Sequence, residues 1–161
     1  MSTHDEDIKT IAKLIESSKI ALVTSRTAGG DLHSRPLQVQ EAEFDGDLWF
    51  FTPHPSEKTE EMATHPQVNA AFESSKGYLS IAGRASVVTD DAKIDELWNK
   101  GVEAWFEGGR NDPSVALLKI EADSAEYWSL DDPKAVRLFK IARAAVGGGT
   151  PDVGENKTVE L

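Results

Sequence analysis

Apolar and polar positions alternate with two different periods along this chain, and each change of period predicts a change of element. Four apolar residues near the start share one face of a helix, namely Ile8, Ile11, Ala12 and Ile15. They predict a helix over residues 3–18. Six later segments are rich in β-branched residues or alternate with period two, which predicts strands at 19–25, 32–44, 48–52, 67–73, 77–88 and 114–128.

Turn residues between these strands predict how they are joined. Asp45-Gly46-Asp47 is typical of a hairpin turn, which would lay the second and third strands side by side. Gly83 predicts a bulge or bend inside the fifth strand, and the sixth strand is either continuous or broken near Asp123-Ser124. Strands joined mainly by hairpins, with helices at the start, middle and end, predict an antiparallel barrel decorated by helices.

Cap residues predict the helices between the strands. Ser56 is a suitable cap for a helix that runs to about His65 and is ended by Pro66. Two further segments have helical spacing, at 90–106 and 135–146. Residues 147–161 are polar and rich in Gly and Pro, so we expect a single domain at 1–146 followed by a C-terminal tail.

Composition excludes several classes of function. The net charge is −11 over 161 residues, which argues against a surface that tracks nucleic acid or an anionic membrane. Cysteine is absent, and the four histidines show no metal-binding spacing, so no metal site is predicted. The acidic start lacks a signal-peptide core, and no stretch approaches the ~20 apolar residues of a membrane span. We expect a soluble, cytoplasmic protein.

Two segments carry candidate chemistry for binding an anion. Arg35, within His-Ser-Arg-Pro-Leu at 33–37, could present its guanidinium beside the sheet, although an edge-strand arginine facing water is the simpler interpretation. Ser56 and Lys58 lie at the start of a predicted helix, where free N–H groups and the helix dipole favour phosphate. Here the simpler interpretation is a capped surface helix.

The same helix also carries charges that work against an anion. Glu57, Glu60 and Glu61 would oppose a bound anion if they faced it. The predicted hairpin would nevertheless bring Arg35 and Lys58 together on one phosphate. No serine, histidine or carboxylate motif points to a catalytic residue, so the catalytic residues are unknown.

Taken in order, several segments resemble a known family. They are HSRPL at 33–37, LWFFT at 48–52 followed by SEK at 56–58, HPQVNAAFE at 65–73, YLSIAGRASVV at 78–88 and AEYW at 125–128. Together they resemble the FMN-binding split-barrel family typified by pyridoxamine 5′-phosphate oxidase, in its general stress protein 26 branch. The resemblance implies a mainly β fold with helices, a six-stranded antiparallel split β-barrel of Greek-key topology. It also implies a homodimer that holds FMN in two clefts between the subunits.

The resemblance assigns expected roles in FMN binding by position. Arg35 corresponds to an arginine that reaches the phosphate, and Ser56 and Lys58 correspond to the phosphate-binding turn. The other implied FMN-binding residues are Ser34, Pro36 and Leu37 along the flavin, Phe51 and Thr52 beside the ring and ribityl chain, Tyr78 near the isoalloxazine, Trp105, and Trp128 from the second subunit.

Departures from the family pattern bear on the activity. Glu57 stands where the oxidase has a basic residue, and Arg137-Leu138-Phe139-Lys140-Ile141 keeps only the beginning of its Arg-Leu-His-x-Arg substrate motif. We therefore expect a flavin-dependent oxidoreductase with an unknown substrate, and no efficient pyridoxamine 5′-phosphate oxidase activity. Two alternatives stay open. One is a non-catalytic flavin-binding stress or sensor protein, and the other is a haem- or deazaflavin-binding barrel with His33 or His54 as the plausible haem ligand.

Overall fold

The computed structural model describes residues 3–129 and 155–161 of the chain. The helices are α1 (Thr3–Ser18), α2 (Glu57–Thr64), α3 (Asp91–Leu97) and α4 (Lys100–Glu103), with a single 3-10 turn at Gly109–Asn111. The strands are β1 (Ile20–Arg26), β2 (Leu32–Gln38), β3 (Asp47–Pro53), β4 (Gln67–Ser74), β5 (Gly77–Val88), β6 (Val115–Ser129) and β7 (Glu155–Glu160).

All the strands pair antiparallel in one sheet, which confirms the predicted fold class. The strand order is β2-β1-β4-β5-β6-β3, and β7 also pairs with β6. β2 and β3 therefore occupy opposite ends of this order, and no ladder between described strands closes the sheet into a complete barrel. The described residues form seven strands rather than the six expected, because residues 155–160, assigned above to the polar tail, form β7.

The long strand β6 pairs along one edge with two shorter strands, β3 and β7. Residues 115–121 of β6 pair with β3, and residues 124–129 pair with β7. Ala122 N donates to Gly46 O at this changeover, and Leu161 N donates to Asp123 O. The register between β5 and β6 shifts at Ala82/Gly83, so β6 is one strand with an irregularity at the position where a break was an alternative.

Two groups of buried side chains lie on opposite faces of β3. The larger one packs α1 against the concave face of the sheet and includes Ile11, Phe50 and Ile81, each fully buried. The smaller one packs α3 and α4 against the other face of β3, where Trp49 and Phe51 lie. The alternating burial along β3 follows from this arrangement, since successive side chains of a strand point to opposite faces.

The predicted hairpin between the second and third strands is wrong. Asp45-Gly46-Asp47 does form a turn, in which Gly46 has φ +110° and Asp47 N donates to Asp45 Oδ1. However, β2 ends at Gln38, six residues before the predicted end at Phe44. Val39 and Gln40 are both buried, a pattern that a regular strand with alternating faces cannot continue.

The helix predicted over 90–106 is divided at Trp98. Trp98 has the extended dihedral angles φ −62° and ψ 135°, and its ring meets Phe51 edge-on at 5.6 Å. Asn99 then caps α4 by accepting from Gly101 N and Val102 N. The break follows because an asparagine side chain competes for the backbone and favours a cap over a helix interior.

Some predictions fall outside the described residues. The helix at 135–146 and residues 147–154 of the tail lie there, as does the Arg137–Ile141 segment compared with the oxidase substrate motif. They stay predictions.

Candidate functional site

Helix α2 begins in a well-capped turn at the end of β3. Ser56 Oγ accepts from Thr59 N, and Thr59 Oγ1 accepts from Ser56 N, so two orphan donors are satisfied reciprocally. His54 Nδ1 lies 3.1 Å from the same Thr59 hydroxyl. The predicted cap at Ser56 and the stop before Pro66 are both confirmed. This turn fixes the direction in which the following residues of α2 point.

Arg35 lies on the inner face of β2, opposite Val23 of β1. Its side chain is 15% exposed, and Nη1 donates to Ser25 Oγ at 2.6 Å. Nη2 lies 3.0 Å from His33 Nδ1 and 3.7 Å from Glu61 Oε2. The guanidinium is thus directed toward α2 rather than into water.

Lys58 is half-buried on the first turn of α2 and experiences the charge of Arg35. Burial lowers the pKa of Lys58 below its ordinary value of 10.5, and the positive charge of Arg35 lowers it further. The convergence of Arg35 and Lys58 on one phosphate stays a prediction. What brings α2 near β2 is not the predicted hairpin but the packing of α2 against β1, the neighbour of β2.

The three glutamates of α2 have different environments. Glu57 and Glu60 are exposed, whereas Glu61 is 8% exposed and faces Arg35. Its Oε2 is buried and has no hydrogen-bond partner among the described residues, since 3.7 Å from Arg35 Nη2 is too long for a hydrogen bond. One of the three acids that would oppose an anion therefore lies beside the candidate site.

The four predicted site residues of β2 divide between two faces of the sheet. Arg35 and Leu37 point inward, and Leu37 packs against the larger core. Ser34 and Pro36 are exposed on the outer face, where Ser34 Oγ lies 2.6 Å from Thr24 Oγ1. A ligand held by Arg35 could touch the outer pair only by passing around the edge of β2.

Phe51 and Thr52 lie on opposite faces of β3. Thr52 is 1% exposed and its hydroxyl donates to Pro53 O, whereas Phe51 is half-buried against the second core beside Trp98. Thr52 is thus enclosed by the protein, immediately before the turn that leads into α2.

The predicted aromatic residues lie far from Arg35 along the sheet. Tyr78 and Trp128 are direct cross-strand partners on β5 and β6, and they are 46% and 36% exposed. β5 is three strands away from β2, or about 14 Å at ~4.8 Å per strand. Trp105 follows α4 and is 81% exposed. The structure therefore brings Tyr78 and Trp128 together, and separates both from Arg35 within one chain.

Three contacts of Arg35 were not predicted from the sequence, namely those with Ser25, His33 and Glu61. Ser25 continues the inward alternation of Ala21 and Val23 on β1, and that signal could have found it. His33 lies two residues from Arg35 on the same strand, so it shares its face. For Glu61 no signal was available, because its helix has too few apolar residues to define a buried face.

Comparison with known proteins identifies the family. Residues 6–152 match the family model described as pyridoxamine 5′-phosphate oxidase like. The chain belongs to this family. The open antiparallel sheet described above is accordingly the split barrel of its structural relatives, and the resemblance to the general stress protein 26 branch is confirmed.

Three relatives illustrate the likeness. Protein bli-3 of Neurospora crassa is 30% identical over 169 residues, which cover 98% of this chain and 80% of bli-3. The structure assigned as general stress protein 26 from Jannaschia sp. CCS1 is 26% identical, with a TM-score of 0.77 over 98% of this chain and 99% of its own. The general stress FMN/FAD binding protein of Xanthomonas citri is 32% identical, with a TM-score of 0.71 over 80% and 92%.

The description of the Xanthomonas citri relative names FMN and FAD as what that protein binds. Across residues 3–129 and 155–161, no helix has the length and apolar character needed to span a bilayer. Within the same residues, no three acidic or histidine side chains are grouped so that they could hold a metal ion.

Proposed function

We propose that this protein binds FMN and that Arg35 and Lys58 hold the flavin phosphate. The observation that supports this proposal is that the guanidinium of Arg35 is 15% exposed and directed toward α2, on whose first turn the half-buried Lys58 lies. Burial lowers the pKa of Lys58, and the charge of Arg35 lowers it further. Within the described residues Arg35 has one buried carboxylate nearby, that of Glu61 at 3.7 Å, so the site keeps an excess of positive charge. A phosphate dianion between Arg35 and Lys58 would relieve their repulsion and form charge-assisted hydrogen bonds with both.

A second copy of the chain would then complete the binding site around the isoalloxazine ring. Tyr78 and Trp128 form an exposed aromatic pair on the outer face of the sheet, whereas Arg35 lies on its inner face. In a homodimer, the pair from one subunit can cover the ring whose phosphate is held by the other. Ser34 and Pro36 lie on the outer face of β2, where they could contact a ring held on that face. Leu37, Phe51 and Thr52 pack inside the protein, so they would support the site rather than line it.

We propose oxidoreductase activity on a small substrate as the function of the bound flavin. FMN supplies the electron-transfer chemistry when it is bound, so the family can act without a catalytic acid or base from the protein. The contribution of this chain is to bind the phosphate, orient the ring and exclude water from it. This division of labour agrees with the lack of a catalytic motif in the sequence.

The phosphate site is tested with the double variant Arg35→Ala, Lys58→Ala. Two charge-assisted contacts are worth about 1.5–3 kcal/mol each, so the variant should lose at least about tenfold in FMN affinity. Riboflavin, which lacks the phosphate, should bind the wild type much more weakly than FMN and should be insensitive to the change. The matched control is Arg84→Ala, Lys76→Ala, which removes two exposed cations, one on β5 and one in the turn before it. Equal affinities of the wild type for FMN and riboflavin would refute the site.

Reduction of bound FMN by NADH or NADPH, followed by reoxidation in air, separates an oxidoreductase from a non-catalytic flavin binder. Tight FMN binding with no reduction by either donor would favour the storage or sensor alternative. The absorption spectrum of the purified protein separates flavin from haem and deazaflavin. His33 and His54, the plausible haem ligands, already contact Arg35 and Thr59 through Nδ1.

A further inference from the structure

Glu61 is the one side chain beside Arg35 whose charge has the wrong sign for a phosphate site. It follows Lys58 by one helical turn, so both side chains lie on the same side of α2. Its Oε2 is 3.7 Å from Arg35 Nη2 and is the buried side-chain oxygen without a hydrogen bond in the described part of the chain. A buried carboxylate oxygen without a partner is unfavourable, so its position calls for an explanation.

Holding Arg35 in place does not explain Glu61. Nη1 of Arg35 already donates to Ser25 Oγ at 2.6 Å, and Nη2 lies 3.0 Å from His33 Nδ1. These two contacts fix the plane and the direction of the guanidinium without the carboxylate. What Glu61 adds is a buried negative charge near Nη2 of the guanidinium, at a distance where attraction persists but no hydrogen bond forms.

We propose that Glu61 is a resident counter-anion that competes with the FMN phosphate for Arg35 and thereby sets the affinity for FMN. This inference rests on the proposed function. Arg35, Lys58 and Glu61 together carry a net charge of about +1, whereas the two cations alone would carry +2. The third charge neutralises Arg35 when the site is empty and repels the phosphate when FMN is bound. The site is thereby tuned for exchangeable rather than permanent binding of FMN.

The test removes this charge and keeps the shape of the side chain. Glu61→Gln should bind FMN roughly three- to tenfold more tightly than the wild type, because a unit charge is removed within a few ångströms of a partly buried anion. Riboflavin affinity should stay within about twofold, since no phosphate is repelled. Glu60→Gln is the matched control, because it is the same change one residue earlier on the exposed side of the same helix.

Two further variants keep the test decisive. Glu61→Met also removes the charge, and it should tighten FMN binding in the same direction if Glu61→Gln folds poorly. In an Arg35→Ala background, the gain from Glu61→Gln should shrink to less than half, because the carboxylate acts through Arg35. The FMN affinities are measured by fluorescence titration of the folded, full-length protein.

The possible results separate the inference from the proposed function. If Arg35→Ala weakens FMN binding while both Glu61 variants leave it unchanged or weaker, the counter-anion role is overturned and the phosphate site stands. If Arg35→Ala has no effect on FMN binding, the proposed site itself is wrong. Equal tightening of FMN and riboflavin by Glu61→Gln would also overturn the inference, because the effect would then not depend on the phosphate.

Discussion

Arg35 occupies an inner-face position of an edge strand, where a charge is costly unless it is paired. On β1, Arg35 lies opposite Val23 and donates a hydrogen bond to the buried Ser25. A guanidinium in such a place requires fixed acceptors or an anion, since burial of an unpaired charge is strongly unfavourable. The strand therefore presents a pre-oriented cation at the same end of the sheet as the first turn of α2.

The sequence also identified which types of residue form the candidate site, but not the directions in which their side chains point. The sequence predicted that a hairpin between β2 and β3 brings Arg35 and Lys58 together, and the described strands contain no such hairpin. The orientation of Glu61 was left open, because the helix sequence EKTEEMAT contains a single large apolar residue, Met62. Because the apolar face of α2 is so weakly defined, only the packing of the helix on the sheet decides which glutamate is buried.

Gly83 is a residue-scale prediction about stability. A Cβ at this position would lie 2.3 Å from Glu121 O, a backbone atom that cannot move aside without disturbing the shift in register between β5 and β6. We expect Gly83→Ala to lower the free energy of unfolding by about 1–3 kcal/mol. Chemical denaturation measures the loss. Gly29→Ala is the control, because its Cβ meets only Thr27 Oγ1 at 3.9 Å, and a comparable loss there would contradict the explanation.

At the scale of elements, β7 shows why the end of the chain was misjudged. Its sequence is polar, and Val159 is its one residue among the buried hydrophobic side chains. β7 forms because β6 offers the edge beyond β3, and because Lys157 Nζ lies 2.8 Å from Asp7 Oδ2 on α1. These partners are distant in the sequence, so no local pattern could predict the strand. The strands β1, β4 and β5, whose alternation is strong, were predicted within one residue at each end.

The contact between α1 and β7 predicts a pH dependence of stability. Asp7 is buried and accepts from Lys157 Nζ and Tyr127 Oη, and these hydrogen bonds, that from Lys157 most of all, hold the pKa of Asp7 below its ordinary value of 3.8. A lowered pKa in the folded state stabilises the protein above the ordinary value, and that contribution is lost as the pH falls through the lowered pKa.

We therefore expect Asp7→Asn to reduce the free energy of unfolding by about 1–2 kcal/mol at neutral pH. The difference from the wild type should stay constant down to about pH 5 and shrink below about pH 4. Thermal unfolding across this range measures both effects. Glu6→Gln, an exposed change on the same helix, should show neither of them. A difference that grew on acidification would contradict the assigned role of Asp7.

At the scale of the whole molecule, the outer face of the sheet is more apolar than a solvent-exposed surface requires. Leu22 is 52% exposed and lies opposite Ala71, which in turn lies opposite Ser80, so the three share this face. Tyr78 lies two residues before Ser80 on the same face, next to Trp128. We propose that this face forms an interface, because exposed apolar side chains on one face favour contact with another molecule. A second copy is the partner that the proposed flavin site needs.

If the outer face both forms the dimer interface and completes the flavin site, one substitution there should disturb both. Leu22→Asp places a charge at the centre of the face without touching Arg35, Lys58 or the core, so it should convert a dimer to a monomer. If the aromatic pair that covers the ring comes from the second copy, the same variant should also lose FMN affinity by at least about tenfold, since stacking on aromatic side chains is worth about 1 kcal/mol or more per ring. Light scattering and FMN titration measure the two effects on one sample. Ala92→Asp, an exposed change on α3, should leave both unchanged. A monomeric Leu22→Asp variant that binds FMN as tightly as the wild type would show that each subunit completes its own site.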